Sequence, residues 1–334
     1  MPELRVDIDA IGRNVEAIVS LLRRHGLDLV AVTKGCLGEP RVAAAMLAGG
    51  AVALADTRDE NLRRLRAAFP AAELHRIHLP SLVGPFEPGD VTYVTSREGA
   101  AAVAAATTAG TARRVMLQVE TGDEREGVPA DRLLELAASV VDDPRLLLEG
   151  VSTNYACFLG GPAGIEASVE GVAAAARSLR GAGIPVDRVS GGNSSVLWLL
   201  ERGARLPQEV TELRCGEALL LGQDALHYKP LSGCAGAACI LRVEVLEEYT
   251  KPAPGGRARR LVLGIGRQDL DGGAVKFLAP RLTEVGRSAD YLVVEAEPGA
   301  SAPAVGSIVE MVPAYEALAA AWTSPYVTVT FAER

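Results

Sequence analysis

Lys34 is the residue with the most chemistry to offer. It follows the apolar run Leu27–Val32 in "LDLVAVTKGCLGEP", and a glycine comes straight after it. A buried amine loses solvation as a cation, so its pKa falls and it becomes a nucleophile and then a base. A lysine that only lays its stem along the end of a strand has no such chemistry. Further polar residues close later apolar runs: Asp56–Thr57–Arg58, Arg125 in "ETGDEREG", Asn154 in "STNYACF", Ser190 to Ser195 in "SGGNSS", and Arg214 in "LRCGE". One amine, several guanidiniums and a Gly/Ser/Asn loop with few carboxylates suit an anionic ligand rather than a metal hydrolase. The histidines (His25, His75, His78, His227) show no ligand spacing, and "HRIH" lacks a third ligand, so no metal is expected. The five cysteines are scattered without CxxC, as small buried residues in a reducing compartment would be.

These residues need a frame. From residue 7 to about 225, short apolar runs alternate with helix-like stretches, such as "DLVAVT" before "PRVAAAMLAGG" and "RRVMLQVE" before "PADRLLELAASVVD". That order is the mark of parallel βαβ units. About eight strands over roughly 220 residues match a (β/α)8 barrel of about 250 residues. A doubly wound open sheet is the other architecture the count allows. In a barrel the chemistry sits at the carboxyl ends of the strands, where the polar residues above fall. After "HYKPLSGCAGAACI" the texture changes to strand-like runs with Gly/Pro-rich turns: "CILRVEVLEEY", "ARRLVLGIGRQDL", "SADYLVVEA", "GSIVEMV" and "PYVTVTF". The expected domains are a barrel over residues 8–229 and an all-β domain over 230–334 together with about residues 1–7. The segment "KPAPGGRARR" reads as a loop.

With 334 residues, 49% hydrophobic and 23% charged, the chain has a globular composition. A net charge of −8 argues against nucleic acid as a partner. No long uncharged apolar run and no signal-peptide core are present, so no membrane partner is expected and a cytoplasmic location is.

In order along the chain, "AVTKG", "ADTRDENL", "ETGDEREGV", "SGGNSS", "LRCGEALLLG" and "AYEAL" resemble the fold-type III pyridoxal-phosphate enzymes. The outline is that of the alanine racemase-like family, closest to its ornithine racemase-like branch, and it runs from about residue 5 to about 327. The resemblance implies a barrel followed by a β domain, pyridoxal 5'-phosphate as cofactor, a small-molecule amino-acid substrate, and a head-to-tail homodimer. It implies that Lys34 bonds the cofactor as a Schiff base. Asn193, Ser194 and Ser195 hold the phosphate, with Gly216 adding a backbone N–H and Tyr315 a hydroxyl. Arg214 faces the pyridine nitrogen, keeping it unprotonated because guanidinium does not surrender its proton. Arg125 contacts the phenolic oxygen and the substrate carboxylate. Read without the resemblance, Asn193 or Ser194 is an ordinary helix cap, and Arg214 an ion-pair partner of Glu212 or Glu217.

Some positions depart from the family pattern. Gln118 stands where a lysine is often carbamylated, and is expected to hydrogen-bond Arg125. Asn154 replaces a histidine beside the pyridine arginine. No tyrosine follows Lys34 in "KGCLGEP". The tyrosine that handles the proton opposite the lysine is replaced by Arg267 in "GIGRQDLD", and arginine is a poor base. Asp269, Asp290, Tyr291 and Cys157 are the alternatives, together with a water or a one-base mechanism. Glu217, Asp269 and Asp290 are acids that could receive a distal amine. The expected activity is racemisation of a basic amino acid such as ornithine or lysine by Cα-proton abstraction. Another fold-type III enzyme (a decarboxylase, an aldolase or one of specialised metabolism) and a non-catalytic cofactor carrier are the alternatives.

Overall fold

The computed structural model describes residues 1–106, 111–159, 161–253, 256–278, 281–297 and 302–332. The first strand, Glu3–Asp7 (β1), leads into a helix over Ile8–Arg24 that Asp7 caps by accepting from Ala10 N at 2.8 Å. Asp9 in its first turn and Arg23 and Arg24 in its last suit the helix dipole. Eight parallel strands follow: Asp28–Val32 (β2), Ala53–Asp56 (β3), Leu74–Arg76 (β4), Val91–Val94 (β5), Arg113–Gln118 (β6), Leu146–Ser152 (β7), Arg188–Ser190 (β8) and Glu212–Cys215 (β9). They form a closed barrel, with β2 pairing both β3 and β9. Every residue of β3, β5 and β9 is buried, because a parallel strand covered on both faces has no solvent side. That explains the near-continuous apolar runs, and the barrel architecture replaces the open-sheet alternative. Val30, Val32, Ala53 and Ala55 form one hydrophobic cluster, and Val91, Tyr93 and Met116 another; Ile77 packs against both.

The chain divides into Gly12–Lys34 with Gly38–Cys234, which holds the barrel, and Met1–Ile11 with Gly35–Leu37 and Ala235–Arg334. The long division falls at Cys234/Ala235, a few residues beyond the position expected. The second unit is built on Cys239–Ala253 (β10), Gly256–Leu263 (β11), Val275–Phe277 (β12), Leu282–Arg287 (β13), Leu292–Ala296 (β14), Ile308–Pro313 (β15) and Thr328–Ala332 (β16). The sheet runs β12-β15-β10-β11-β14-β13, and β1 joins it antiparallel to β10 and parallel to β16.

Two sequence expectations change here. The unit has the β architecture expected of it, and it also carries two short helices, Arg267–Leu270 and Tyr315–Thr323. In particular, "GIGRQDL" does not extend a strand: β11 stops at Leu263, and Asp269 turns back to accept from Gly266 N at 3.4 Å. The segment "KPAPGGRARR" is mostly strand, with Lys251 opposite Ala258 and Pro252 opposite Arg257; its residues 254–255 lie outside the described residues. Among the described residues, no helix is long and apolar enough to cross a membrane.

Candidate active site

Lys34 opens a single 3-10 turn, Lys34–Cys36, just beyond the carboxyl end of β2. The residue before it is clamped. Thr33 is fully buried, its N–H donates to Ala55 O at 2.9 Å, and its hydroxyl donates to Asp56 Oδ2 at 2.6 Å. Asp56 is also fully buried, and its Oδ1 accepts from Thr57 N at 2.6 Å, Arg58 N at 3.1 Å and Asn61 Nδ2 at 2.9 Å. Neighbouring strand ends thus fix the backbone that delivers the lysine. The Lys34 side chain itself is exposed, so a single chain does not supply the desolvation expected of it.

The "SGGNSS" loop follows β8. Gly192 has φ +122°, a left-handed backbone that a side chain would strain. Asn193 is the cap of the turn Ser194–Val196, its Oδ1 accepting from Ser195 N at 2.8 Å. Ser194 Oγ accepts from Gly216 N and Ala218 N, both at 3.3 Å, which ties this loop to the end of β9. A Cβ on Gly216 would lie 2.9 Å from Val32 O, so glycine is needed for that approach. Ser195 Oγ is buried without a hydrogen-bond partner among the described residues. A buried hydroxyl without a partner calls for an explanation, and a bound acceptor supplies one.

Arg214 on β9 is buried. It donates to Ser190 Oγ at 2.8 Å and to Thr153 O at 2.7 Å, and its guanidinium lies over the Tyr93 ring, 4.9 Å from the centroid. It forms no ion pair with Glu212, which pairs instead with Arg188 at 2.8 Å.

Asp123 is a residue of the site loops that sequence reasoning passed over. Its buried Oδ1 accepts from Cys157 N at 3.0 Å and Phe158 N at 3.1 Å, and its Oδ2 lies 3.8 Å from Arg125 Nε. It joins the loop after β6 to the loop after β7, and its only sequence signal was its place in "TGDERE". Asn154 Oδ1 accepts from Asn193 Nδ2 at 3.0 Å, which links the β7 loop to the "SGGNSS" loop. Asn193 Nδ2 also reaches Cys157 Sγ at 3.2 Å.

Arg125 is exposed and forked onto Glu126, through Nη2 at 2.7 Å and through Nε. Burial works against its cation, but the Glu126 contact and the charges of Cys157 and Asp123 raise its pKa overall. The expected Gln118 bond to Arg125 does not form. Gln118 Oε1 accepts from Ser152 Oγ at 2.6 Å, leaving Nε2 buried without a partner among the described residues.

In the second unit, Arg267, Asp290 and Tyr291 are exposed, and Asp290 Oδ1 accepts from Gln268 Nε2 at 3.4 Å. Asp269 is buried and accepts from Ser324 Oγ at 2.6 Å and from Gly266 N, so it is a structural carboxylate rather than a free base. Tyr315 is half-buried at the start of its helix. Among the described residues, no three His, Cys, Asp or Glu side chains gather as a metal site.

A phosphorylated aldehyde fits the barrel residues: an amine at a strand mouth, a glycine-lined cradle and an orphaned serine hydroxyl answer its two functional groups. This is the class of barrel enzymes that use pyridoxal 5'-phosphate. Within that class, the chain belongs to the family described as "Alanine racemase, N-terminal domain", whose model matches residues 6–224. It is 25% identical to the lysine racemase of Thermotoga maritima (98% of this chain, 97% of the relative). It is 25% identical to the ornithine racemase of Acetoanaerobium sticklandii, over 98% of both. Its fold resembles that of D-threonine aldolase from Filomicrobium marinum, with TM-score 0.79 and 18% identity over 99% of this chain and 91% of that one.

Proposed function

We propose that the protein is an amino-acid racemase for substrates with a distal amine, the class that includes lysine and ornithine. The observation that carries this reading is likeness along nearly the whole length to two racemases named for those amino acids. Pyridoxal 5'-phosphate, when bound, supplies an electron-withdrawing conjugated system that acidifies the substrate Cα–H bond. Lys34 would hold the cofactor and carry the proton at Cα on its own face. Ser194, Ser195, Asn193 and Gly216 would form the phosphate cradle, and Asn154 would lie beside Arg214 at the cofactor ring. Arg214, already fixed by Ser190 and Thr153, would face the ring nitrogen and keep it without a proton. Arg125 leaves Glu126 and grips the substrate α-carboxylate with the same two-pronged geometry.

On the opposite face, Arg267 cannot act as a base because guanidinium keeps its proton. Asp290 is an exposed carboxylate that accepts from Gln268, the residue next to Arg267, and we assign the second proton exchange to it, with Arg267 orienting the substrate. The resemblance supports a head-to-tail homodimer working in the cytoplasm. Mixing Lys34→Ala and Arg267→Ala chains should then restore activity that neither has alone.

The decisive experiment incubates the holoenzyme with pure L-lysine or L-ornithine in deuterated water. Both enantiomers should appear, with deuterium at Cα. Release of CO₂ or an aldehyde instead would overturn racemisation, and a wild type that gains no cofactor absorption band would overturn the cofactor assignment.

A further inference from the structure

Below Arg214 the barrel interior is polar and tightly connected. Tyr93, on β5, is fully buried, with its ring face toward the guanidinium and its hydroxyl 3.3 Å from His75 Nδ1. His75 Nε2 lies 2.8 Å from Glu73 Oε1. With that nitrogen donating to the carboxylate, Nδ1 is left to accept from the Tyr93 hydroxyl. Glu73 also accepts from Arg188 Nη1 at 2.6 Å and lies 2.8 Å from Arg114 Nη1. Arg188 in turn donates to Glu212 Oε2 at 2.9 Å. Glu212 stands two residues before Arg214 on β9, so both side chains emerge on the same side of the strand. The series Arg214, Tyr93, His75, Glu73, Arg188, Glu212 therefore begins and ends on β9.

We propose that Tyr93 is a positioning residue for Arg214, its ring face holding the guanidinium in a single orientation toward the cofactor it would face, while His75 and Glu73 hold the ring. Three groups then define the guanidinium. Ser190 Oγ and Thr153 O receive its hydrogen bonds, and the aromatic face covers it from below. An aromatic face carries negative charge and attracts a cation most strongly where water is excluded. Burial pushes the Tyr93 phenol well above its ordinary value, so the ring stays neutral and its face, not a phenolate, meets Arg214.

The inference rests on the cofactor reading above, and its test separates the two. Tyr93 is replaced by phenylalanine and by phenylalanines of increasing ring fluorination, which keep the shape while withdrawing charge from the face. On the holoenzyme, kcat, KM, cofactor affinity by absorbance titration, and the pH dependence of the cofactor band are followed, with thermal unfolding as the control. Tyr93→Phe, which keeps the face but loses the hydroxyl's contact with His75, should lose severalfold in kcat and is the reference for the series. From phenylalanine to the most fluorinated ring, kcat should fall stepwise by about ten- to thirtyfold, with KM little changed and the cofactor band shifting in parallel. A flat series in kcat and in the cofactor band overturns the proposal, as does a series in which only thermal stability moves. Tyr93→Leu, which removes the face altogether, should be at least as impaired as the last fluorinated ring; a folded Tyr93→Leu enzyme with the wild-type band and kcat also overturns it. If the wild type binds no cofactor, it is the functional reading that fails.

Discussion

Thr33 donates its hydroxyl to Asp56 at 2.6 Å, and the same carboxylate receives two backbone N–H groups and the Asn61 amide. A buried carboxylate is tolerable only with such a set of donors. Here the set includes the residue directly before Lys34, the lysine proposed to be catalytic, so one side chain stabilises the barrel and fixes the backbone that carries Lys34. Asp56→Ala leaves buried donors unsatisfied and should cost on the order of 2–4 kcal/mol. Thr33→Val should cost about 1 kcal/mol, since it removes a single donor. Urea unfolding gives both values. Cofactor affinity, measured by absorbance, should weaken further in Asp56→Ala than in Thr33→Val.

Glu126 occupies Arg125 in the geometry that a substrate carboxylate would need. Substrate must then displace a carboxylate already present, which raises KM without touching the chemical step. Glu126→Gln should lower KM severalfold with kcat little changed. Arg125→Lys should raise KM by about tenfold or more, because a lysine cannot form the two-pronged contact. Steady-state kinetics on both enantiomers distinguishes the two effects.

The barrel was legible because strands buried on both faces write themselves as unbroken apolar runs, and because polar residues at their ends mark the working rim. β13 was missed since it is mostly exposed, with no alternation of apolar residues to reveal it. The Gln118 misreading has a different origin. Position matching says which residue stands where, but not which neighbour its amide will choose, and Ser152 on the adjacent strand is the nearer partner. Tyr93 was invisible for the same reason: "VTYV" shows a strand, and only the closed barrel brings its ring beneath Arg214. The exposure of Lys34 is a property of the assembled surroundings, which no strand pattern records.

Ser195 offers a cleaner test of the cradle than most site residues. Its hydroxyl is buried and unpartnered among the described residues, so the protein alone gains nothing from it. Ser195→Ala should leave the stability of the cofactor-free protein unchanged or raise it by up to about 1 kcal/mol. Cofactor dissociation should nevertheless increase by about five- to tenfold, the value of one hydrogen bond to a charged acceptor. A variant that loses stability without losing cofactor affinity would place the hydroxyl outside the phosphate site.

Cys215 lies beside Arg214, and Cys239 lies in the long central strand of the second unit; burial pushes both thiols from 9.0 up to about 12. A thiol whose folded pKa is raised binds its proton more tightly in the native state. The stability this supplies is complete below about pH 9 and is lost as pH rises toward 12. Each pH unit above the unfolded value costs on the order of 1 kcal/mol per thiol, so moving from pH 8 to pH 10 should cost on the order of 1 kcal/mol for each. Cys215→Ala removes one titration together with some packing. It should be less stable than wild type at pH 8 but should lose less between pH 8 and pH 10, by about one thiol's share. Urea midpoints at the two pH values measure this directly. Because Tyr93 is also pushed up by burial, the comparison belongs at pH 10 rather than higher, where the phenol would add its own loss. Equal losses in wild type and variant would show that burial of this thiol does not set the alkaline limit.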